Sequence, residues 1–147
     1  MKKVYLDTTV ISALFDERTP ERMAHTKAAW EEIKKHDVYI SDIVLDELRS
    51  ATSDLADKFD KAIEGFNVLA TTEKAEKLAN IYVEQGIFPE KYFDDALHVA
   101  LASTNEIGIL ISWNFRHLVK IKTRKLVAVV NALQDYQTVE IIAPPEL

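Results

Sequence analysis

The amino-acid sequence predicts an α/β protein built on a central, mainly parallel sheet with helices on both faces. Three observations lead there. Short apolar runs rich in Val, Ile and Tyr alternate with longer segments of helical periodicity, the pattern of strand–helix–strand units. One of those runs, Ile107 to Ser112, is continuously apolar up to its final serine, as a strand covered on both faces must be. The helical segment Tyr92 to Asn105 is apolar nearly all round after Asp95, the mark of a buried helix.

Taken in order, Lys3–Leu6 reads as the first strand, Thr8–Phe15 as a short helix and Glu21–Lys35 as a longer one. Val38–Ser41 is the second strand, Asp42–Ser50 the next helix, and Leu55–Phe66 continues helical. Asn67–Ala70 is a short strand or an extended link, followed by helices at Glu73–Gln85 and Tyr92–Asn105. Ile107–Ser112 is a buried strand, Arg124–Asp135 a helix and Val139–Pro144 a last strand. Three glycines and four prolines leave little punctuation, and no repeat or linker divides residues 1–147, which read as one domain.

Composition excludes several classes of chemistry. With no cysteine there is no disulfide, no thiolate zinc site and no cysteine nucleophile, and the expected compartment is a reducing one, cytoplasmic by default. No stretch approaches the roughly 20 apolar residues of a membrane span. The four histidines, His25, His36, His98 and His117, lack metal-ligand spacing, and neither a P-loop nor a glycine-rich dinucleotide fingerprint is present. A net charge of −6 disfavours indiscriminate nucleic-acid binding. Against that background Arg116, Lys120, Lys122, Arg124 and Lys125 form a cationic stretch without an acid among them. It reads either as a solvated face or as a grip on a phosphate backbone.

The acids fall at informative places. Asp7 closes the first strand, where it can cap the next helix or serve a ligand at the strand's carboxyl end. In the helix after Ser41, Asp42, Asp46 and Arg49 share one stripe that reads as solvent-facing, whereas Glu47 stacks over Ile43 and Val44 on the apolar face. A carboxylate held there needs a partner, unless it snorkels to the surface. Asp94 and Asp95 open the buried helix, where the helix dipole accounts for either, and spacing does not choose between them. Right-handed crossovers put helix N-termini beside strand carboxyl ends, so Asp7, Glu47 and this pair should share one rim. Clustered carboxylates repel unless protonated or bridged by a cation, and all-oxygen ligands favour Mg²⁺ or Mn²⁺.

At these residues the chain resembles the PIN-domain family, and within it the VapC-type toxins. "VYLDTTVI" resembles the family's opening strand ending in aspartate, and "SDIVLDEL" its serine followed six residues later by glutamate. "DALHVALA" resembles its third acidic motif and selects Asp95 over Asp94; "ILISWNF" resembles its last motif strand. The resemblance implies a three-layer α/β/α fold and a Mg²⁺- or Mn²⁺-dependent ribonuclease, often the toxin of a toxin–antitoxin pair. By it Asp7, Glu47 and Asp95 become metal-binding catalytic acids, with Thr8, Thr9, Ser41, Ser112, Asn114 and His117 in support. Arg116, Lys120, Lys122, Arg124 and Lys125 would hold RNA. The partners implied are RNA and a cognate antitoxin; a homodimer is expected because it is the commonest closed oligomer. The chain departs from the family at its customary fourth acid, since Asn114 and His117 stand where one is usual. One ion in the free protein, with a second recruited by substrate, is the expectation from that loss. A PIN fold that binds RNA or protein without cutting is the alternative. A haloacid-dehalogenase phosphatase also begins from an aspartate after the first strand, but it needs a second aspartate where this chain has Thr9.

Overall fold

The computed structural model describes residues 1–147. The strands are β1 (Lys3–Leu6), β2 (Asp37–Ser41), β3 (Asn67–Leu69), β4 (Ile109–Ile111) and β5 (Glu140–Ile142). They form one sheet in the order β3-β2-β1-β4-β5, every pair parallel. The helices are α1 (Thr8–Ala13), α2 (Pro20–Ile33), α3 (Asp42–Arg49), α4 (Ser53–Ala62), α5 (Glu73–Glu84), α6 (Phe93–Thr104) and α7 (Ile121–Leu133). None is long and apolar enough to cross a membrane.

β1 lies at the centre, with Val4 opposite both Val38 of β2 and Ile109 of β4. Val4, Tyr5 and Leu6 are all buried, as the middle strand of a sheet covered on both faces must be. After β1 the chain builds outward through β2 and β3, then returns to the other side for β4 and β5. Strand order therefore reverses between β1 and β4, the place where open α/β sheets hold ligands at their carboxyl ends. α6 is the most buried helix, from Ala96 to Ser103, and it packs along α5. Tyr82, Ser103 and Asn131 tie α5, α6 and α7 together through a buried hydrogen-bonded triplet.

Most element boundaries expected from sequence hold within a few residues, with two informative differences. α7 begins at Ile121, three residues before the expected start; its capping residue Lys120 supplies no side-chain cap that could have marked the end. β4 begins at Ile109, two residues after Ile107, because Glu106 turns the chain with a positive φ of 57°. The expected solvent stripe Asp42–Asp46–Arg49 is correct for the exposed pair Asp46 and Arg49 and wrong for Asp42. The Asp42 carboxylate is half-buried and accepts from the backbone N–H and hydroxyl of Thr71, fastening α3 to the segment after β3.

Candidate active site

Asp7 leaves β1 at its carboxyl end and caps α1, so the capping role and the rim position coexist. Its side chain is buried and accepts three hydrogen bonds, two on Oδ1 and one on Oδ2. Oδ1 takes the Thr9 N–H (3.1 Å) and the Thr9 hydroxyl (2.5 Å). Oδ2 takes the Ser112 hydroxyl (2.5 Å), which arrives from the end of β4. Thr9 Oγ1 in turn accepts from the Trp113 N–H, and Ser112 Oγ from the Asn114 N–H. Thr9 and Ser112 thus orient Asp7 and lock β1 to the loop after β4. Burial raises the Asp7 pKa, the Glu47 charge adds to the rise, and His98 with the two hydroxyls opposes it.

Asp95 stands half-buried in the first turn of α6, while Asp94 points to solvent. Burial pushes the Asp95 carboxyl up to about 6; the nearby charges of Asp7 and Glu47 push the same way, against His98 and the Asn114 amide. The three acids singled out from sequence are therefore electrostatic neighbours: Asp7 senses Glu47, and Asp95 senses both.

Glu47 finds the partner its position demands. His98, buried on α6, places Nε2 3.2 Å from Glu47 Oε1. Burial alone would raise the Glu47 pKa, but the hydrogen bond and charge of His98 outweigh it and hold the carboxyl below its ordinary value. The Glu47 side chain remains 41% exposed, so it leans over the rim rather than lying in the core. Ser41 caps α3 and also bonds the Tyr5 hydroxyl, which reaches His98 Nδ1 at 2.7 Å. Nothing in the sequence pattern marked His98 or Tyr5: each occupies an apolar position and looks like core.

The remaining expected residues divide. The buried Thr8 hydroxyl has no hydrogen-bond partner; it lies near enough to Glu47 to favour the ionised carboxylate, without reaching bonding geometry. Asn114 accepts from the His117 N–H and tightens the loop after β4. His117 stacks on Tyr92 with ring centroids 4.3 Å apart, and its Nε2 is buried without a partner. Burial, then the charges of Arg116 and Lys120, lower its pKa, which leaves the ring neutral at pH 7. Arg116, Lys120, Lys122 and Lys125 are exposed where the chain enters α7, while Arg124 is half-buried with Nε unpartnered. Two clefts flank the acids. One, of about 500 Å³, runs from Glu47 over Phe15, Leu48, Leu55 and Phe59. The other, of about 580 Å³, joins Arg22 and His25 to Trp113, with the Arg22 guanidinium 5.1 Å from the indole.

The donor set suits a hard divalent cation: carboxylates, hydroxyls, an orphaned Thr8 oxygen and no soft ligand. Two of the acids are held in an environment that penalises their charge, which a cation would relieve. The carboxylates are not drawn into a closed cage, for no three acidic or histidine side chains converge to ion-holding distance. Glu47 instead turns to His98.

Comparison with known proteins fits this picture. The PIN domain family model matches residues 4–117. The chain belongs to the PIN domain family. Solved structures similar to this PIN domain include VapBC2 from Rickettsia felis bound to a DNA fragment from its promoter, with 13% identity, TM-score 0.59, and coverage of 96% of this chain and 98% of that one. VapBC-1 from nontypeable Haemophilus influenzae gives 18% identity and TM-score 0.59, covering 97% and 98%. Mycobacterium tuberculosis VapC20, a sarcin–ricin loop cleaving toxin, gives 21% identity and TM-score 0.58, covering 76% and 92%. At these identities the likeness is one of fold. No curated protein matches this chain in sequence.

Proposed function

We propose that this PIN domain is a Mg²⁺- or Mn²⁺-dependent endoribonuclease and the toxin of a toxin–antitoxin pair. The observation that carries the proposal is the shared rim of Asp7, Glu47 and Asp95, on which burial raises the pKa of Asp7 and Asp95 where a cation would lower it. Asp7, Glu47 and Asp95 would hold the ion, which when bound supplies an activated water and charge stabilisation at the phosphoryl oxygens. The chain's own residues do the rest. Thr9 and Ser112 keep both Asp7 oxygens aimed from one side. Arg116, Lys120, Lys122 and Lys125, with Arg124 behind them, present positive charge to an RNA backbone where α7 starts. Arg22 beside Trp113 offers a further cation next to the Ser112–Asn114 loop.

The partner reading draws on the cleft beside Glu47. Its Phe15, Leu48, Leu55 and Phe59 floor fits an apolar segment of an antitoxin, with a basic side chain reaching the acids. A homodimer is part of the same proposal.

The deciding experiment is cleavage of a single-stranded RNA with Mg²⁺, with Mn²⁺ and with chelator, for the wild-type protein and Asp7→Asn. Metal-dependent cutting lost in the variant is the expected result; metal-independent cutting, or cutting unchanged in Asp7→Asn, overturns it. One observation favours the alternative of a binding module without cleavage: neutral Asn114 and His117 stand at the customary fourth acid, and His117 lies packed on Tyr92. RNA binding without cutting under every metal would select that alternative.

A further inference from the structure

Glu47 is reached by a hydrogen-bonded path that begins on its own helix. The Val44 N–H donates to Ser41 Oγ (3.4 Å), Ser41 Oγ meets the Tyr5 hydroxyl (2.8 Å), and that hydroxyl meets His98 Nδ1 (2.7 Å). His98 Nε2 ends the path on Glu47 Oε1 (3.2 Å). Ser41, Tyr5 and His98 are each 3% exposed or less, so the path runs through the interior and emerges only at the carboxylate. Tyr5 sits on the central strand and His98 on the most buried helix. Their rings are also packed together, with centroids 5.7 Å apart.

We infer that His98 is a positioning residue that aims Glu47, with the Tyr5 hydroxyl fixing the imidazole so that Nε2–H always faces the carboxylate. The logic is one of donors and acceptors. An ionised carboxylate only accepts, so Nε2 must carry a proton. If the ring is neutral, Nδ1 is then an acceptor, which the Tyr5 O–H satisfies while its oxygen accepts from Ser41. If the ring is charged, Nδ1 donates to Tyr5 and the Tyr5–Ser41 bond reverses. Either way the last bond is unchanged, so the aim of Glu47 does not depend on the charge of His98. Glu47 comes from an eight-residue helix with its side chain partly in solvent, and without this bond it has many rotamers to lose on binding an ion.

The inference rests on Glu47 being an ion ligand, and the test separates the two. Mn²⁺ is titrated calorimetrically into metal-free wild type, His98→Leu, His98→Gln, Tyr5→Phe and, as a control, Asp95→Asn. Leucine fills the site without a donor, whereas the glutamine amide donates to Glu47 and accepts from Tyr5. His98→Leu should bind Mn²⁺ roughly 10- to 100-fold more weakly, as when the orienting partner of a metal ligand is lost. His98→Gln should recover most of that affinity, and Tyr5→Phe should weaken it in the same direction. If His98→Leu does not fold, the glutamine and phenylalanine variants carry the comparison. Wild-type affinity in His98→Leu and Tyr5→Phe, with affinity lost in Asp95→Asn, overturns the role of His98 and leaves the ion site standing. Undiminished affinity in Asp95→Asn as well overturns the ion site, and the assignment of His98 with it. A readout free of metal is the His98 Nε2–H proton resonance: it should be protected from exchange in wild type and less so in Tyr5→Phe, and a rapidly exchanging proton in wild type overturns the proposal.

Discussion

Replacing Asp95 by Asn should make the metal-free protein more stable. Burial, with Asp7 and Glu47 nearby, lifts the Asp95 carboxyl from 3.8 to about 6. An acid whose folded pKa lies above its unfolded one is protonated more readily in the folded state. Its ionisation therefore works against folding: stability is retained below about 4, falls as pH rises through about 6, and stays low above that. A rise from 3.8 to about 6 corresponds to at most ~3 kcal/mol. Solvent reaches this half-buried rim, so screening reduces the effect to about 1–2 kcal/mol. Asparagine keeps the shape and removes the charge. For a chain of this length the gain is about 3–6 °C in Tm at pH 8 in chelating buffer. At pH 5 the folded carboxyl is largely protonated but the unfolded one is not, so roughly half of the difference should remain, and it should vanish only below about pH 4. Saturating Mn²⁺ should reverse the order at pH 8, because the ion stabilises only the protein that binds it. Differential scanning fluorimetry at both pH values, with chelator and with Mn²⁺, makes the comparison. Equal or lower Tm for Asp95→Asn at pH 8 without metal would refute the account of a charge-strained rim.

Three further outcomes follow from the same site and its surroundings. Lys122→Ala with Lys125→Ala removes two exposed cations, and the slope of log binding constant against log salt for single-stranded RNA should flatten by about 1.4; an unchanged slope makes that face merely solvated. Asn114→Asp places a carboxylate beside Asp95 and should add a second Mn²⁺ site in the free protein, measurable by calorimetry; an unchanged stoichiometry would show that Asn114 is not where the lost acid acted. For the homodimer, α7 exposes Val129 (56%) and Leu133 (78%); Val129→Glu with Leu133→Glu should convert a dimer to a monomer in sedimentation, and a wild-type monomer at high concentration would refute the dimer itself.

The sheet was legible because its signals are local and redundant. β1 and β4 read as buried strands from their own residues, and Asp7, Ser41 and Asp95 each fall at an element boundary that periodicity locates. Glu47 was legible as a carboxylate in need of a partner, but the identity of the partner was not. His98 is 51 residues away and sits among Leu97, Val99 and Ala100, where an imidazole looks like one more core side chain. Tyr5 in an apolar strand is equally inconspicuous, since only a neighbour in space reveals what its hydroxyl meets. Asp42 failed for a related reason. A helical wheel describes one helix against solvent, and Thr71 arrives from another segment to cover the face the wheel leaves open. His117 looked available for phosphate, yet Tyr92, 25 positions earlier, takes its ring face.

The bond from Ser112 to Asp7 spans 105 positions in the chain. During synthesis Asp7 is made before Ser112, so its second oxygen has no donor, and β1 lacks one of its two neighbouring strands, until β4 has been made. The acidic rim is thus unfinished until Ser112 and β4 have joined it. A growing chain carries the first acid of the rim 105 positions before the donor that completes its setting, so whatever the rim does waits for β4.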